Sequence, residues 1–268
     1  MARKVLSQAE VEAYQRDGQL TPQHRLSPDL LARMTRSIEA LIEANADIRP
    51  EQLVGAHIKK SDDTGVRGVE DLLDLACHPD ILDAVEQVMG PDLILWGSQV
   101  FSKPAGDGMA IPWHQDGQYW PVRPLRTVTV WIAIDPATVE NGCMRVIPGT
   151  HKDGLLEHAS SDDQGLALNQ GLTGVDESAA RDVELEPGQF SLHDVMLIHG
   201  SNANTSGKRR CGWAIRYMPA TSLFDRSIPP TRIARNQVID FSQRPIWLVR
   251  GQDRAGNDFS VGKETAPA

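Results

Sequence analysis

Three residues in this sequence have the types and the spacing of a metal site. His114 and Asp116 stand two positions apart in the segment 113–116, which reads Trp-His-Gln-Asp, and His199 follows 85 residues later. Two imidazoles and one carboxylate can occupy one face of a metal ion and leave the opposite face open, an arrangement that suits non-haem Fe(II) binding a cosubstrate and O2. A histidine and an aspartate at this spacing are common by chance, so the interpretation depends on the elements around them.

The choice of the third ligand lies between two histidines, His193 and His199. A histidine and an aspartate at i and i+2 of a strand point to the same face, so the third ligand must come from a neighbouring strand. On a continuous strand His193 would share a face with His199, but a turn at His193-Asp194 would break that alternation. We favour His199, because a polar run at 200–204 and a basic cluster follow it. His193 is predicted to make a core hydrogen bond or one that supports a ligand.

The basic cluster at 208–210 ends in Arg210, a second residue that could take part in the chemistry of the site. A guanidinium that points into a barrel is costly unless an anion accompanies it, and a dicarboxylate cosubstrate would supply one in a geometry that arginine fits. On a strand from Arg210 to Tyr217, Arg210 and Arg216 share one face, while Trp213 and Tyr217 share the other. Alternation alone does not determine which face is inward.

Length and composition set the class of protein. The 268 residues can bury a large core, and we expect one domain over 1–268. A net charge of −9 argues against nucleic acid or an anionic membrane surface as a partner. The sequence has no run of about 18 apolar residues that would span a membrane and no signal-like start. The sequence has three separated cysteines, Cys77, Cys143 and Cys211, which fit reduced thiols, so we expect a cytoplasmic protein. We expect its partner to be a small-molecule substrate.

The first ninety residues are predicted to be mostly helical. Ser7 and Glu10 form a capping-box pattern that opens a helix over 8–17, and Gly18 ends it. Ser27 before Pro28 begins a second helix, whose apolar residues recur at helical spacing to about residue 45. Two shorter helices are predicted over 69–76 and 79–89.

From residue 92 the pattern changes to short β-rich runs separated by Gly/Pro turns. The predicted strands cover 93–101, 127–134, 143–147, 189–192, 196–198, 211–217 and 244–250. Many short strands of this kind indicate a sandwich or a jelly-roll barrel, here over 91–250. The polar, Gly/Asp-rich residues 152–182 are predicted to form a long loop or lid.

Five segments in this order resemble the phytanoyl-CoA dioxygenase family of Fe(II)- and 2-oxoglutarate-dependent oxygenases. They are Phe101–Pro104, Trp113–Asp116, Val130–Ala133, Asn141–Lys152, and Ile198–Ser201 with Arg210. The resemblance covers roughly residues 90–220. It implies a mainly β fold with flanking α-helices, namely a double-stranded β-helix, or cupin-like jelly roll.

The resemblance also implies the roles of particular residues. His114, Asp116 and His199 match the iron ligands of the family, and Arg210 matches the arginine that pairs with the distal carboxylate of 2-oxoglutarate. The positions that line the cosubstrate in family members are matched by Lys103, Gln115, Trp131 and Ser201. Asp116 stands where the family's halogenases have a small residue, which points to hydroxylation. The implied cofactor is Fe(II), with 2-oxoglutarate and O2 as cosubstrates and succinate and CO2 as products.

The substrate is expected to be a small polar or anionic metabolite, for example an aminoalkylphosphonate or an amino-acid derivative. Basic groups near the mouth of an acidic protein can hold an anion, and aromatic groups can line an apolar wall or face an ammonium group. The candidates are His57, Lys59, Lys60, Gln118, Tyr119, Trp120 and Arg123. A natural-product or acyl intermediate is the alternative substrate.

Two other classes of protein would use the same three ligands. A non-catalytic, metal-binding jelly roll has no need of a dicarboxylate anchor such as Arg210 with Lys103 and Trp131. A zinc hydrolase would keep a water at the fourth position of the metal. It would also need a general base beside that water, for which the sequence has no dedicated candidate.

Overall fold

The helices lie close to where the capping signals place them. The computed structural model describes residues 4–59, 64–161, 163, 165–234 and 237–262. Ser7 and Glu10 form the predicted capping box, and Gly18 ends the first helix in a left-handed conformation. The α-helices in these ranges are α1 Gln8–Asp17, α2 Pro28–Ala44, α3 Glu70–Ala76 and α4 Pro79–Met89.

The rest of the described chain is built mainly from short strands. In chain order they are β1 Gln19–Leu20, β2 Leu53–Val54, β3 Leu93–Lys103, β4 Ile111–His114, β5 Val122–Arg123, β6 Val128–Ala133, β7 Met144–Val146, β8 Ala159–Ser160, β9 Gln170–Gly171, β10 Arg181–Val183, β11 Phe190–Asp194, β12 His199–Ser201, β13 Arg210–Pro219, β14 Leu223–Phe224, β15 Thr231–Ala234, β16 Gln237–Ile239 and β17 Trp247–Arg250.

Two antiparallel sheets form the barrel. The larger has the order β1-β11-β6-β13-β3-β17, with β2 also paired to β3, and the smaller has the order β10-β7-β12-β4. Three further pairs stand apart from these sheets: β5 with β14, β8 with β9, and β15 with β16. The fold is therefore mainly β with flanking helices, and the predicted jelly roll is confirmed.

The helices cover the outer face of the larger sheet. Trp213, Ile215 and Tyr217 of β13 are buried in one core cluster with helical residues such as Met34. The hydroxyl of Tyr217 donates a hydrogen bond of 2.6 Å to the carbonyl oxygen of Ala76, at the end of α3. This packing settles the alternation on β13, because the bulky residues face the helices and the face that carries Arg210 points into the barrel.

The sequence-based prediction fails where pairing is long-range or a side chain makes a turn. The predicted strand at 196–198 is wrong: the Asp194 carboxylate accepts the N–H of Met196, its carbonyl accepts the N–H of Leu197, and the next strand begins at His199. The helical entry region contains β1 and β2, which pair with β11 and β3. The predicted loop at 152–182 contains the β8–β9 hairpin. No described helix is long and apolar enough to cross a membrane.

Candidate metal centre and cavity

Strand pairing brings the three predicted ligands together. His114 is the last residue of β4, Asp116 follows in a short 3-10 turn, and His199 is the first residue of β12. His199 lies directly opposite His114 in the antiparallel pairing of these strands. One ligand atom from each of the three buried residues lies within 4.8 Å of the others. A separation of 85 residues in the chain thus closes to the dimensions of a metal site.

Both imidazoles are oriented by the backbone. Nδ1 of His114 lies 2.9 Å from the carbonyl oxygen of Pro112, and Nδ1 of His199 lies 2.9 Å from the carbonyl oxygen of Leu197. A carbonyl oxygen only accepts, so each Nδ1 must carry a proton, and in the neutral ring Nε2 is then the atom that has the lone pair. Hydrogen bonds of this kind hold the rings of metal-binding histidines in place. Nε2 of His114 lies 3.7 Å from Oδ1 of Asp116.

The protonation states also suit metal binding. Burial, reinforced by the neighbouring His114, holds the pKa of His199 well below its ordinary value, so the ring is neutral. Burial alone would raise the pKa of Asp116. The imidazoles of His114 and His193 and the charge of Arg216 outweigh it, and the pKa of Asp116 lies well below its ordinary value. A neutral imidazole and an ionised carboxylate are the forms in which these side chains bind a metal.

His193, the competing histidine, lies beside the triad rather than in it. Its Nε2 is 3.8 Å from Oδ2 of Asp116, and its ring centroid is 4.8 Å from that of His199. It stands on β11, just before the turn that Asp194 makes with Met196. A turn does separate the two histidines, but it follows Asp194 at 195–196, whereas the His193-Asp194 position considered from the sequence is still part of β11.

A cavity opens from the triad and runs along the inner face of the larger sheet. The space between its lining atoms is about 1110 Å3, part of it open solvent, and most of its wall is apolar. Arg210 and Arg216, on the same face of β13, both line it. The aromatic side chains that line it are Trp96, Phe101, Tyr119, Trp120, Trp131 and Phe241.

Arg210 lines the cavity, and Lys103 lies next to it on β3 without lining the cavity. The guanidinium of Arg210 lies 5.3 Å from the ring centroid of Trp131, and its Nε has no hydrogen-bond partner among the described residues. Burial lowers the pKa of Arg210 to about 10. Lys103 pairs with Arg210 across β3 and β13, and its ammonium donates to Ser201 Oγ at 2.8 Å and to the carbonyl oxygen of Asn202. Burial, and then the charge of Arg210, lower the pKa of Lys103 to about 6.

Gln115 lies elsewhere than expected for a cosubstrate contact. Its amide nitrogen donates to the carbonyl oxygens of Gly154 and Met196 at 2.8 and 2.7 Å, and its amide oxygen accepts from the backbone N–H of Leu156 at 2.7 Å. The side chain does not line the cavity. Since its amide is fully engaged with backbone groups, Gln115 secures the loop that follows residue 152.

Of the predicted substrate-binding residues that the structure describes, only Tyr119 and Trp120 line the cavity. His57 is buried behind the wall, with Nδ1 2.8 Å from Ser98 Oγ. Burial, then the charges of Arg244 and Arg216, lower its pKa to about 3. Three other candidates are directed elsewhere, and one lies outside the described residues.

Arg123 is exposed and donates to the carbonyl oxygens of Trp120 and Val122. Gln118 is also exposed, with a side-chain contact of 3.4 Å to Gln170. Lys59 is exposed and does not line the cavity. Lys60 falls outside the described residues.

Two arginines that line the cavity were missed as site residues. Arg216 shares the face of Arg210, but the sequence alone did not show which face was inward. Arg244 was predicted to begin a strand over 244–250, but β17 begins only at Trp247 and Arg244 lies in the irregular segment before it. The guanidinium of Arg216 lies 5.1 Å from the ring centroid of Trp120, and that of Arg244 lies 5.4 Å from the ring centroid of Phe241.

Comparison with known proteins agrees with this geometry. The chain is 36% identical over 151 residues to a probable phytanoyl-CoA dioxygenase of Caenorhabditis elegans, which covers 52% of this chain and 48% of that protein. It is 27% identical over 254 residues to L-proline trans-4-hydroxylase of Streptomyces griseoviridis, covering 83% and 91% of the two chains. The chain thus spans about half the length of the phytanoyl-CoA dioxygenase and most of the hydroxylase.

A solved structure and a family model extend the match to most of the chain. The structure of the non-heme monooxygenase ThoJ, in its apo form, is 26% identical, with a TM-score of 0.69, and covers 91% of this chain and 84% of that one. The model of the family described as phytanoyl-CoA dioxygenase (PhyH) matches residues 14–212, from α1 to β13. With that match, the chain belongs to the phytanoyl-CoA dioxygenase family.

Proposed function

We propose that this protein is an Fe(II)- and 2-oxoglutarate-dependent oxygenase that hydroxylates an unactivated C–H bond of a small anionic or polar metabolite. The observation that carries the proposal is the convergence of the His114, Asp116 and His199 ligand atoms in the same buried cavity as Arg210. The triad accounts for a metal with open positions, and the guanidinium of Arg210, whose Nε has no hydrogen-bond partner among the described residues, accounts for a dicarboxylate. Family membership supports the same reaction class.

The donor set fits Fe(II). His114 and His199 each direct a lone pair away from the carbonyl that holds Nδ1, and Asp116 is ionised. Two nitrogens and one carboxylate oxygen form the facial set that non-haem iron oxygenases use. When bound, Fe(II) together with 2-oxoglutarate and O2 supplies the oxidation of the C–H bond, with release of succinate and CO2. His193 and the carbonyl groups of Pro112 and Leu197 would keep the ligands in place without binding the metal themselves.

Arg210 would hold the distal carboxylate of 2-oxoglutarate. Its guanidinium is fixed against Trp131, so little side-chain freedom is lost on binding. Lys103 and Ser201 lie beside it and are already joined by a hydrogen bond. A non-catalytic metal-binding jelly roll would leave this buried basic cluster without a purpose.

The substrate is proposed to be small, such as an amino-acid derivative or an aminoalkylphosphonate. The match to L-proline trans-4-hydroxylase over most of both chains favours an amino acid or a close analogue. Tyr119 and Trp120 would contribute to the substrate wall. The apolar character of most of the cavity wall favours a second candidate, a natural-product or acyl intermediate oxidised by the same mechanism.

Anaerobic titration of the purified protein tests the reaction class. Fe(II) followed by 2-oxoglutarate should produce a metal-to-ligand charge-transfer band that Fe(II) alone does not produce. His114→Ala and Asp116→Ala should abolish substrate-dependent succinate release. Arg210→Ala should raise the dissociation constant of 2-oxoglutarate by roughly 30-fold or more, as expected for truncating one side of a buried charge pair. An unchanged dissociation constant in Arg210→Ala would remove the cosubstrate assignment.

A substrate screen tests the second part of the proposal. Succinate release should be accelerated by anionic or zwitterionic metabolites, assayed at equal concentration with apolar scaffolds. If only the apolar scaffolds accelerate turnover, the natural-product or acyl alternative replaces the polar substrate.

A further inference from the structure

Besides Arg210, two further arginines line the cavity, Arg216 and Arg244. Arg210 and Arg216 are six residues apart on β13, which places their backbones roughly 20 Å apart along the strand. Their guanidinium groups stack on different rings, that of Arg210 on Trp131 and that of Arg216 on Trp120. The two arginines therefore serve different regions of the same cavity.

Within the described part of the chain, Arg216 is buried without a dedicated counter-ion. It is 9% exposed, and its Nε has no hydrogen-bond partner among the described residues. Burial lowers the pKa of its guanidinium, and so does the charge of Arg244, while the Asp116 carboxylate acts in the opposite direction. Asp116 is a proposed metal ligand, and a bound cation would share its negative charge. A buried guanidinium in this position is stabilised by an additional anion.

The other acidic group of the cavity wall is committed elsewhere. Glu51 is 2% exposed, and its carboxylate accepts from Arg49 at 3.1 Å and from the backbone N–H of Met109 at 3.1 Å. Its charge acts on Lys103 and Arg210 and is not among those that shift Arg216. It does not neutralise the Arg216 end of the cavity.

Aromatic rings fix this end of the cavity and give it an apolar wall. Trp96 packs edge-on against Trp120 with ring centroids 4.7 Å apart, and Phe241 packs against Trp96 at 6.4 Å. Arg216 stacks on Trp120, and Arg244 stacks on Phe241. Stacking on fixed rings holds a guanidinium in place before a ligand arrives.

We infer that Arg216, with Arg244 beside it, binds the anionic head group of the primary substrate, a carboxylate or a phosphonate. The inference rests on the proposed function, because it assumes that Arg210 holds 2-oxoglutarate. Arg216 and Asp116 line the same cavity and their charges interact, so the head group would bind in the same cavity as the proposed metal ligands. The aromatic wall of Trp96, Trp120 and Phe241 contacts the rest of a small substrate. This inference assigns anion recognition to Arg216 and Arg244 in place of the basic residues that the sequence predicted at the mouth of the site.

Matched probes that differ in head-group charge test this inference. The protein is loaded anaerobically with Fe(II) and 2-oxoglutarate and titrated by calorimetry with butyrate, propylphosphonate and neutral butyramide, and with L-proline and L-prolinamide. We expect the carboxylate of at least one pair, butyrate with butyramide or L-proline with L-prolinamide, to bind at least tenfold more tightly than its amide. The ratio of butyrate to propylphosphonate affinity decides between a carboxylate and a phosphonate substrate.

Variants assign the preference to Arg216. In Arg216→Gln the advantage of the anion should fall to within twofold, while the dissociation constant of 2-oxoglutarate stays within twofold of the wild-type value. Arg216→Lys, which keeps the charge, should retain part of the advantage and shows that the site still folds. Arg145→Gln is the matched control, because Arg145 stacks on Trp113 at 5.2 Å but does not line the cavity. It should leave the preference unchanged.

Three outcomes would overturn the inference. The first is that the wild type shows no preference for the anionic probes. The second is that the preference survives in Arg216→Gln. The third is that Arg216→Gln raises the dissociation constant of 2-oxoglutarate as much as Arg210→Gln does. The last outcome would place Arg216 on the cosubstrate. If 2-oxoglutarate does not bind at all, the proposed function fails. The head-group preference is then measured in the Arg210→Gln background without 2-oxoglutarate, so the two failures remain distinct.

Discussion

Gly212, on β13 between Arg210 and Ala214, has no room for a methyl group. A Cβ at this position would lie 2.5 Å from Cε2 of Trp131 and closer still to Cζ2 and Cη2. Real Cβ atoms do not approach other atoms this closely, so Gly212→Ala must displace the indole ring. That ring carries the guanidinium of Arg210. We therefore expect Gly212→Ala to disturb cosubstrate binding through two residues that it leaves chemically unchanged.

The size of the effect follows from the two interactions that change. Overpacking a buried site costs typically 1–3 kcal/mol of stability. A desolvated cation–π contact is worth about 2 kcal/mol, and part of that contact is lost when the ring moves. We expect the free energy of unfolding to fall by about 2 kcal/mol, which is roughly 4–8 °C in Tm for a protein of this size. The dissociation constant of 2-oxoglutarate should rise about tenfold, equivalent to ~1.4 kcal/mol.

The assay is the anaerobic titration of Fe(II)-loaded protein with 2-oxoglutarate, followed through the charge-transfer band, together with thermal melting. Gly97→Ala is the matched control: Gly97 also lines the cavity, on β3, but its Cβ would lie 3.6 Å from the nearest atom, Cδ of Arg216. That is an ordinary contact, so 2-oxoglutarate binding should change little. Trp131→Leu removes the obstructing ring, and Gly212→Ala should add little to it. The reasoning is refuted if Gly212→Ala behaves like Gly97→Ala, or if its full effect persists in the Trp131→Leu background.

Three further predictions test individual contacts. Gln115→Leu should lower Tm and speed proteolysis near residue 155, since several buried hydrogen bonds are lost at about 1 kcal/mol or more each, yet leave 2-oxoglutarate affinity within twofold; a large loss of affinity would restore Gln115 as a cosubstrate contact. With its pKa at about 6, Lys103 is mostly neutral at pH 7.5, so a bound dicarboxylate should raise that pKa and draw in a proton, detected by calorimetry in two buffers and absent in Lys103→Met. Because the unfolded chain keeps an ordinary lysine pKa, it binds more protons above pH 6 than the folded chain, and Lys103 makes the free energy of unfolding rise with pH there; a flat difference between wild type and Lys103→Met would contradict this. Tyr217→Phe leaves the carbonyl of Ala76 unpaired and should cost on the order of 1 kcal/mol in chemical denaturation with 2-oxoglutarate binding unchanged.

The local elements of the fold were predictable because their signals are local. The capping box of Ser7 and Glu10 and the proline after Ser27 place the first two helices to within a residue or so. The two-residue strands β1 and β2 were not predictable, since they exist only through pairing with β11 and β3, far along the chain. The turn after Asp194 replaced a predicted strand for a related reason: one carboxylate satisfies a backbone N–H that a partner strand would otherwise accept.

The candidate site was likewise predictable from the sequence only in part. The triad and Arg210 were readable because strand alternation and the family resemblance restrict where they can lie. The charged residues at the expected mouth were misplaced, since charge does not indicate direction: His57 is buried against Ser98, and Arg123 donates to its own neighbouring backbone. Gln115 was misplaced because β4 ends at His114, and beyond that end the Gln115 amide binds backbone groups of the loop after residue 152.

The inward face of β13 is also encoded in the sequence, through side-chain volume rather than through charge. One alternating set, Cys211, Trp213, Ile215 and Tyr217, is large and apolar and needs a covering layer, which the helices provide. The other set places Gly212 and Ala214 between two arginines. The Trp131 ring packs over Gly212, while Ala214 lines the cavity, and a buried arginine at each end of this face is stabilised by an anion. The sequence of β13 therefore predicts two anion sites, which we have proposed for 2-oxoglutarate at Arg210 and for the substrate head group at Arg216.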